Sequence, residues 1–175
     1  MFSLSEVITA MKSLVRASIS AAAISTAVIA ALIPLTATAT ESAESQAVRQ
    51  QLQRYEQALN TTDANAVMKL YAEDAVFMPQ NGLPVVGHAA VRAAYESLFT
   101  ALHPNIKFEI DEIQTVSPSW AFARTRSTGS MKLQSNGALV PEANQELFVL
   151  HKNEKGQWLF ARYIFNETAA PTKKP

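Results

Sequence analysis

The chain has 175 residues, with 15 basic and 15 acidic side chains and no cysteine; that length suits one domain with some extra sequence. The missing thiol excludes disulfides, thiol catalysis and thiolate metal sites. The balanced charge argues against nucleic acid or an anionic membrane as partner, since both demand a basic excess.

Residues 1–39 read as a secretory leader. Lys12 and Arg16 precede an uncharged run from Ala17 to Leu35, and Ala37-Thr38-Ala39 supplies a small-x-small exit. A retained membrane anchor is the alternative, weakened by Ser18, Ser20, Ser25 and Thr26 within the run and by Pro34 beside the exit. Cleavage is therefore expected near Ala39. It would leave residues 40–175 as a single domain without a stable membrane anchor, periplasmic or secreted, ending in a short polar tail over 168–175. Glu6 is unusual ahead of the positive charges, which leaves Met1 and Met11 both open as the start.

Beyond a polar stretch to Gln46, Val48, Leu52, Tyr55 and Leu59 recur on one face of a helix. Asn60-Thr61-Thr62 ends it, and Asp63 stands where an N-cap belongs for a second helix, Ala64 to Tyr71. Ala75 to Met78 and Val85-Val86 read as two short strands about a turn at residues 79–84. A third helix, Ala89 to Ala101, buries Val91, Tyr95, Leu98 and Phe99. After Pro104 the period changes to two. Four strands are predicted, Ile106 to Val116, Trp120 to Leu133, Gln145 to Lys152 and Gln157 to Asn166, and their short turns imply an antiparallel meander. Helices first and strands after them make this an α+β domain. The last strand is apolar on both faces, with Trp158, Phe160 and Ile164 on one and Leu159, Tyr163 and Phe165 on the other. Helices can cover one face of the sheet; the other is expected to meet a second subunit in a homodimer.

Four segments carry a resemblance: Gln53 to Asp63, Leu70-Tyr71-Ala72-Glu73-Asp74-Ala75-Val76-Phe77, Gly87-His88-Ala89-Ala90-Val91-Arg92, and Gly156-Gln157-Trp158-Leu159 with Arg162-Tyr163. In this order and spacing, across residues 46–166, they resemble the nuclear transport factor 2-like superfamily. Its SnoaL-like and SgcJ/EcaC-type members and the association domain of calmodulin-dependent kinase are the most similar in character. The resemblance implies a cone-shaped fold, with three N-terminal helices on a curved antiparallel sheet, enclosing a pocket. It does not imply one function, because this superfamily holds enzymes, binding modules and assembly domains.

Steroid isomerase, an enzyme of this superfamily, needs a carboxylate base and an oxyanion hole of Tyr and neutral Asp. Its pattern puts the Tyr on Tyr55, the base on Met78 or Pro79 and the Asp near Phe148. Met, Pro and Phe cannot handle those protons, so that activity is not expected. Alternation along the second long strand groups Trp120, Phe122, Arg124 and Arg126 on one face and Ala121, Ala123 and Thr125 on the other. If the bulky residues face inward, two guanidinium groups enter the pocket and want an anion; if they face outward, they are solvated.

The expectation is an exported binding domain for a small apolar or carboxylate-bearing molecule. Its pocket would be lined by Tyr55, Tyr71, Phe77, Trp120, Phe148, Tyr163 and Phe165, with Arg124 and Arg126 contacting an anion. No cofactor is implied, and no metal, since His88, His103 and His151 share no ligand spacing. A cofactor-independent cyclase, isomerase or dehydratase is the alternative. Tyr55, Glu146 and His151 are weak acid–base candidates for it, and only one of Glu146 and His151 can point inward. A dimeric assembly module is the third reading.

Overall fold

The computed structural model describes residues 41–168; the expected leader and the end of the polar tail lie outside them. Helix α1 (Ala43–Asn60) starts earlier than its apolar periodicity, because Ser42 caps it by accepting from the Ser45 N–H at 3.1 Å. Its first turn is tied to the sheet, with Glu44 accepting from the Trp158 indole at 2.8 Å and pairing with Lys152 at 2.6 Å. Asp63 does cap α2 (Ala64–Met68), accepting from the Ala66 N–H at 2.9 Å. This helix is shorter than expected. Tyr71 instead opens strand β1 (Tyr71–Met78), where it pairs with Phe160.

Strand β2 (Val85–Val86) turns back on β1, and α3 (His88–Ala101) follows. Four long strands complete the domain: β3 (Leu102–Ser117), β4 (Trp120–Leu133), β5 (Leu139–Lys152) and β6 (Trp158–Glu167). With β1 and β2 they form one six-stranded sheet of order β2-β1-β6-β5-β4-β3. The meander is antiparallel as expected, but β1 pairs parallel to β6, so the sheet is mixed. That pairing joins segments about 90 residues apart in the chain, and no local pattern announces it.

β3 lies at the sheet edge, where Pro104, lacking an N–H, is tolerated. Helix α1 closes part of that edge with side chains. Asn60 both donates to the Ile106 carbonyl and accepts from its N–H, each at 2.8 Å, and Glu56 accepts from the Phe108 N–H at 2.7 Å. An edge satisfied this way offers fewer free groups to another chain.

Two registers decide what faces the helices. Along β4, Ala121, Ala123, Thr125 and Ser127 are buried while Trp120, Arg124 and Arg126 are exposed, the reverse of the inward-arginine arrangement. Large side chains from elsewhere already fill the interior: Tyr55, Phe148 and Phe160 are almost fully buried and pack edge to face or tilted. Only small residues fit beneath them. Along β6, a register shift where Leu150 meets Phe160 and Val149 meets Arg162 breaks the alternation. It puts Phe160 on the same side as Tyr163, rather than with Ile164, which is 43% exposed.

Gly129 sits where β4 crosses close to β3. A Cβ there would lie 2.1 Å from the Asn105 carbonyl oxygen and 2.8 Å from the Ile106 Cα, both rigid backbone. Gly129→Ala should therefore destabilise the domain by about 2 kcal/mol, in the range of core overpacking. Gly156→Ala, with nothing within 4 Å of its Cβ, should cost only its positive φ, about 1 kcal/mol. Urea unfolding midpoints of the two variants check this; equal losses would mean that the strands part easily at Gly129.

Candidate functional site

The inner sheet face is built from cross-strand rows. Ala123, Phe148, Tyr163 and Phe77 form one row, Thr125, Glu146 and Phe165 the next, and Ser127 and Asn144 start a third. Over these rows, α1 and α3 leave a cavity of about 480 Å³. Tyr55 and Leu59 of α1, Tyr95 and Leu98 of α3, Phe77 of β1 and Phe108 of β3 wall it, and the sheet contributes Tyr163, Phe165, Ser127, Glu142, Asn144 and Glu146. The volume falls within the range of small-molecule sites, as does the combination of apolar walls with few polar groups. A second concavity, about 590 Å³, runs between α1, α2 and the β5–β6 turn; its ionisable lining residues are the exposed Arg54, Asp63 and Lys69.

The cavity's aromatic side is ordered by stacking. The Phe77 ring lies 5.4 Å from that of Tyr163 and 6.0 Å from that of Phe165, close to parallel with both. Behind it, Phe148 stacks on Tyr163 at 4.2 Å. The Tyr95 hydroxyl joins those of Tyr55 at 2.6 Å and Tyr71 at 2.8 Å. Burial raises the pKa of Tyr55, Tyr71, Tyr95 and Tyr163 above the ordinary phenol value, so all four stay protonated and able to donate.

The opposite wall carries the chemistry. Glu146, only 4% exposed, accepts from the Thr125 hydroxyl through one oxygen and from the Ser127 hydroxyl through the other, each at 2.5 Å. Burial pushes its carboxyl above the ordinary range, the two hydroxyls pull it back, and the charges of Asp111 and Glu142 raise it further. Among the described residues, no Lys, Arg or His forms an ion pair with Glu146 or Glu142. A buried carboxylate held by hydroxyls and lacking a cation is a group able to take up a proton.

Of the expected pocket residues, Tyr55, Phe77, Tyr163 and Phe165 line the cavity. Tyr71 and Phe148 are buried behind it, one bonded to Tyr95 and the other stacked on Tyr163. Trp120, Arg124 and Arg126 are on the outer face and do not reach it. Trp120 lies against His151 there, with ring centroids 4.5 Å apart. Arg124 and Arg126 clasp Asp111 at 3.2 and 2.9 Å, with Glu112 and Glu109 beside them. Hydrogen bonding from Arg126 accordingly holds the Asp111 carboxyl below its ordinary range. Glu146 and His151 do point to opposite faces, and Glu146 is the inward one. Tyr95 and Asn144 were not singled out as site residues. Their place at the cavity depends on which helix and strand face each other.

A family model described as a SnoaL-like domain matches residues 52–162. A ketosteroid isomerase-like protein from Erwinia carotovora atroseptica SCRI1043 is 30% identical over 74% of this chain and 100% of its own, with a TM-score of 0.71. A conserved protein from Planctomyces limnophilus DSM 3776 is 24% identical, covering 72% and 98%, with a TM-score of 0.65. An NTF-2 like protein of unknown function from Shewanella oneidensis MR-1, 21% identical over 70% and 98%, shares the fold at a TM-score of 0.58. No curated protein matches the chain.

The folded state holds the Glu146 proton more tightly than the unfolded chain does. Stability from this group therefore falls as pH rises from the ordinary value, 4.5, through its raised folded value. Replacing it by Gln removes that fall. Urea unfolding of wild type and Glu146→Gln between about pH 4 and about pH 8 should show the gap moving in favour of Gln as pH rises. A gap independent of pH would mean that Glu146 titrates as an exposed carboxyl does.

Proposed function

We propose that this chain, which belongs to the SnoaL-like domain family, binds a ring-bearing apolar molecule after export and moves a proton on it without a cofactor. The observation that carries the reading is Glu146. It is a buried carboxylate, fixed by Thr125 and Ser127 and without a paired cation among the described residues, at the wall of an aromatic cavity. A domain that only held an apolar ligand would gain nothing from burying that charge, which costs several kcal/mol. The likeness to a ketosteroid isomerase-like protein supports proton chemistry in general terms. The residues differ from the steroid isomerase pattern, however. Pro79 is an apolar lining residue and Phe148 part of a ring stack, while the carboxylate stands two residues before Phe148 on the same strand face.

In the proposed step, the Glu146 carboxylate takes a proton from a ligand C–H beside a carbonyl. The bonding pair moves toward the carbonyl oxygen, and a protonated phenol of Tyr55 or Tyr163 stabilises the charge that develops there. The proton returns from Glu146 to another ligand atom, so the enzyme ends unchanged. Bicyclic ketones, with and without an amino substituent, incubated with the protein in deuterated water, should gain deuterium at carbon. Glu146→Gln should slow this by about 100- to 10,000-fold, the usual worth of a positioned base. Background exchange in the wild type would overturn the proton-transfer reading and leave a binding domain.

The outer sheet face favours a second proposal, that a second copy covers it. Leu147 and Ile164 are cross-strand neighbours, 39% and 43% exposed, with Arg124 next to Leu147 on β4. Beside them lie Phe122 and Val149, and the Arg124–Asp111–Arg126 cluster supplies both signs of charge, as a self-complementary contact requires. Sedimentation should show a dimer, and Leu147→Glu should return it to monomer. A monomeric wild type at tens of micromolar would remove this proposal.

A further inference from the structure

The polar end of the cavity bears on which molecules it takes. Glu142, Asn144 and Glu146 succeed one another on the inner face of β5, with Ser127 beside them on β4, and all four line the cavity. The hydrogen bonds there are nearly all internal. The Asn144 amide donates to Glu142 Oε1 at 2.9 Å and to Ser127 Oγ at 3.4 Å, and Ser127 spends its own proton on Glu146. This arrangement uses the donors and leaves acceptors over. Asn144, 6% exposed, has a buried Oδ1 with no hydrogen-bond partner among the described residues.

A buried acceptor left without a donor has lost its water and gained nothing in return, an unfavourable state that an incoming donor relieves. Two carboxylates with no cation paired to them among the described residues add an unfavourable field of one sign, and Asp111 adds to it through the sheet. Whatever fills the cavity should therefore bring donors and positive charge, and should not bring a carboxylate. The walls suit the same ligand, because the stacked faces of Phe77, Tyr163 and Phe165 attract a cation as well as apolar carbon.

We infer that the Glu142–Asn144–Glu146 end of the cavity is a recognition subsite for a protonated amine carried on an apolar ring ligand. The ammonium is balanced by Glu142 and reaches the buried Asn144 Oδ1 once the amide turns toward the cavity, and the ring lies along the aromatic wall. Glu142 and Asn144 act in binding, which leaves Glu146 for proton transfer. This inference rests on the reading of the cavity as a small-molecule site, and it replaces the carboxylate-bearing ligand that inward arginines would have required.

The test uses three probes with one ring system: 2-naphthylmethylammonium, 2-naphthylmethanol and 2-naphthoate, each titrated calorimetrically into the wild type, Glu142→Gln and Asn144→Leu. The ammonium should bind the wild type about 10-fold or more tighter than the alcohol, as expected for hydrogen bonds to a charged group, with naphthoate weakest. Glu142→Gln, close to isosteric, should remove most of the ammonium's advantage over the alcohol. Asn144→Leu should weaken both donors. Equal affinities for ammonium and alcohol would overturn the subsite while the cavity reading stood, and so would tight naphthoate binding. No binding by any of the three would overturn both. Circular dichroism of each variant excludes misfolding as the cause of a loss.

Discussion

One buried hydroxyl ties the layers of the domain together. Tyr95 of α3 meets Tyr55 of α1 and Tyr71 of β1, all three rings within 3% of complete burial. A phenol hydroxyl away from water must find a partner, and each one left alone costs about 1–3 kcal/mol. The two contacts are met only if α1, α3 and the start of β1 approach one another to within hydrogen-bond distance at one point. Any slide of a helix along the sheet would separate them. The same rings give the core its aromatic contacts: Tyr55 touches Phe108, Phe148, Phe160 and Tyr163. Position and packing thus come from the same side chains, and the cavity is the space that they leave toward β3 and β5.

This explains which parts of the fold were legible in the sequence. The helix faces could be read because burial of Val48, Leu52, Tyr55 and Leu59 follows from spacing within one element. The strands of the meander could be read because alternation and turns are local. The inward face of β4 could not. Alternation separates Ala121, Ala123 and Thr125 from Trp120, Arg124 and Arg126, but does not say which set meets the core. Size is a poor guide when Phe148 and Phe160 of neighbouring strands and Tyr55 of a helix already occupy the space. The β6 bulge and the parallel β1–β6 pair were hidden for a related reason: each depends on a partner strand.

The candidate site was legible to the same degree. Tyr55, Phe77, Tyr163 and Phe165 were expected at the pocket and line it, since aromatic residues on inward faces tend to converge. Glu146 was visible as a candidate and looked weak, because a single carboxylate on a strand is more often solvated than buried. What distinguishes it is its company. Thr125 and Ser127 stand opposite on β4, and they could be read as its partners only once Arg124 and Arg126 had been placed outside.

The sheet therefore separates charge across its thickness. Outside, two arginines meet Asp111, with Glu109 and Glu112 close by, in a cluster that water also solvates, so each sign is answered where it stands. Inside, Glu146 and Glu142 have hydroxyls and an amide but no cation among the described residues. If burial of Glu146 served the fold alone, a neutral side chain of similar shape would do so at lower cost, since removing a charge from water without an opposite charge is among the least favourable steps in folding. An arginine on the inner face of β4 would have cancelled that cost and filled the cavity with its own side chain. Thr125 and Ser127 do the reverse. They hold the carboxylate without compensating its charge, and Ser127 is short enough to leave the cavity beside it open, which is the condition under which an incoming ligand can supply both the missing volume and the missing proton or charge.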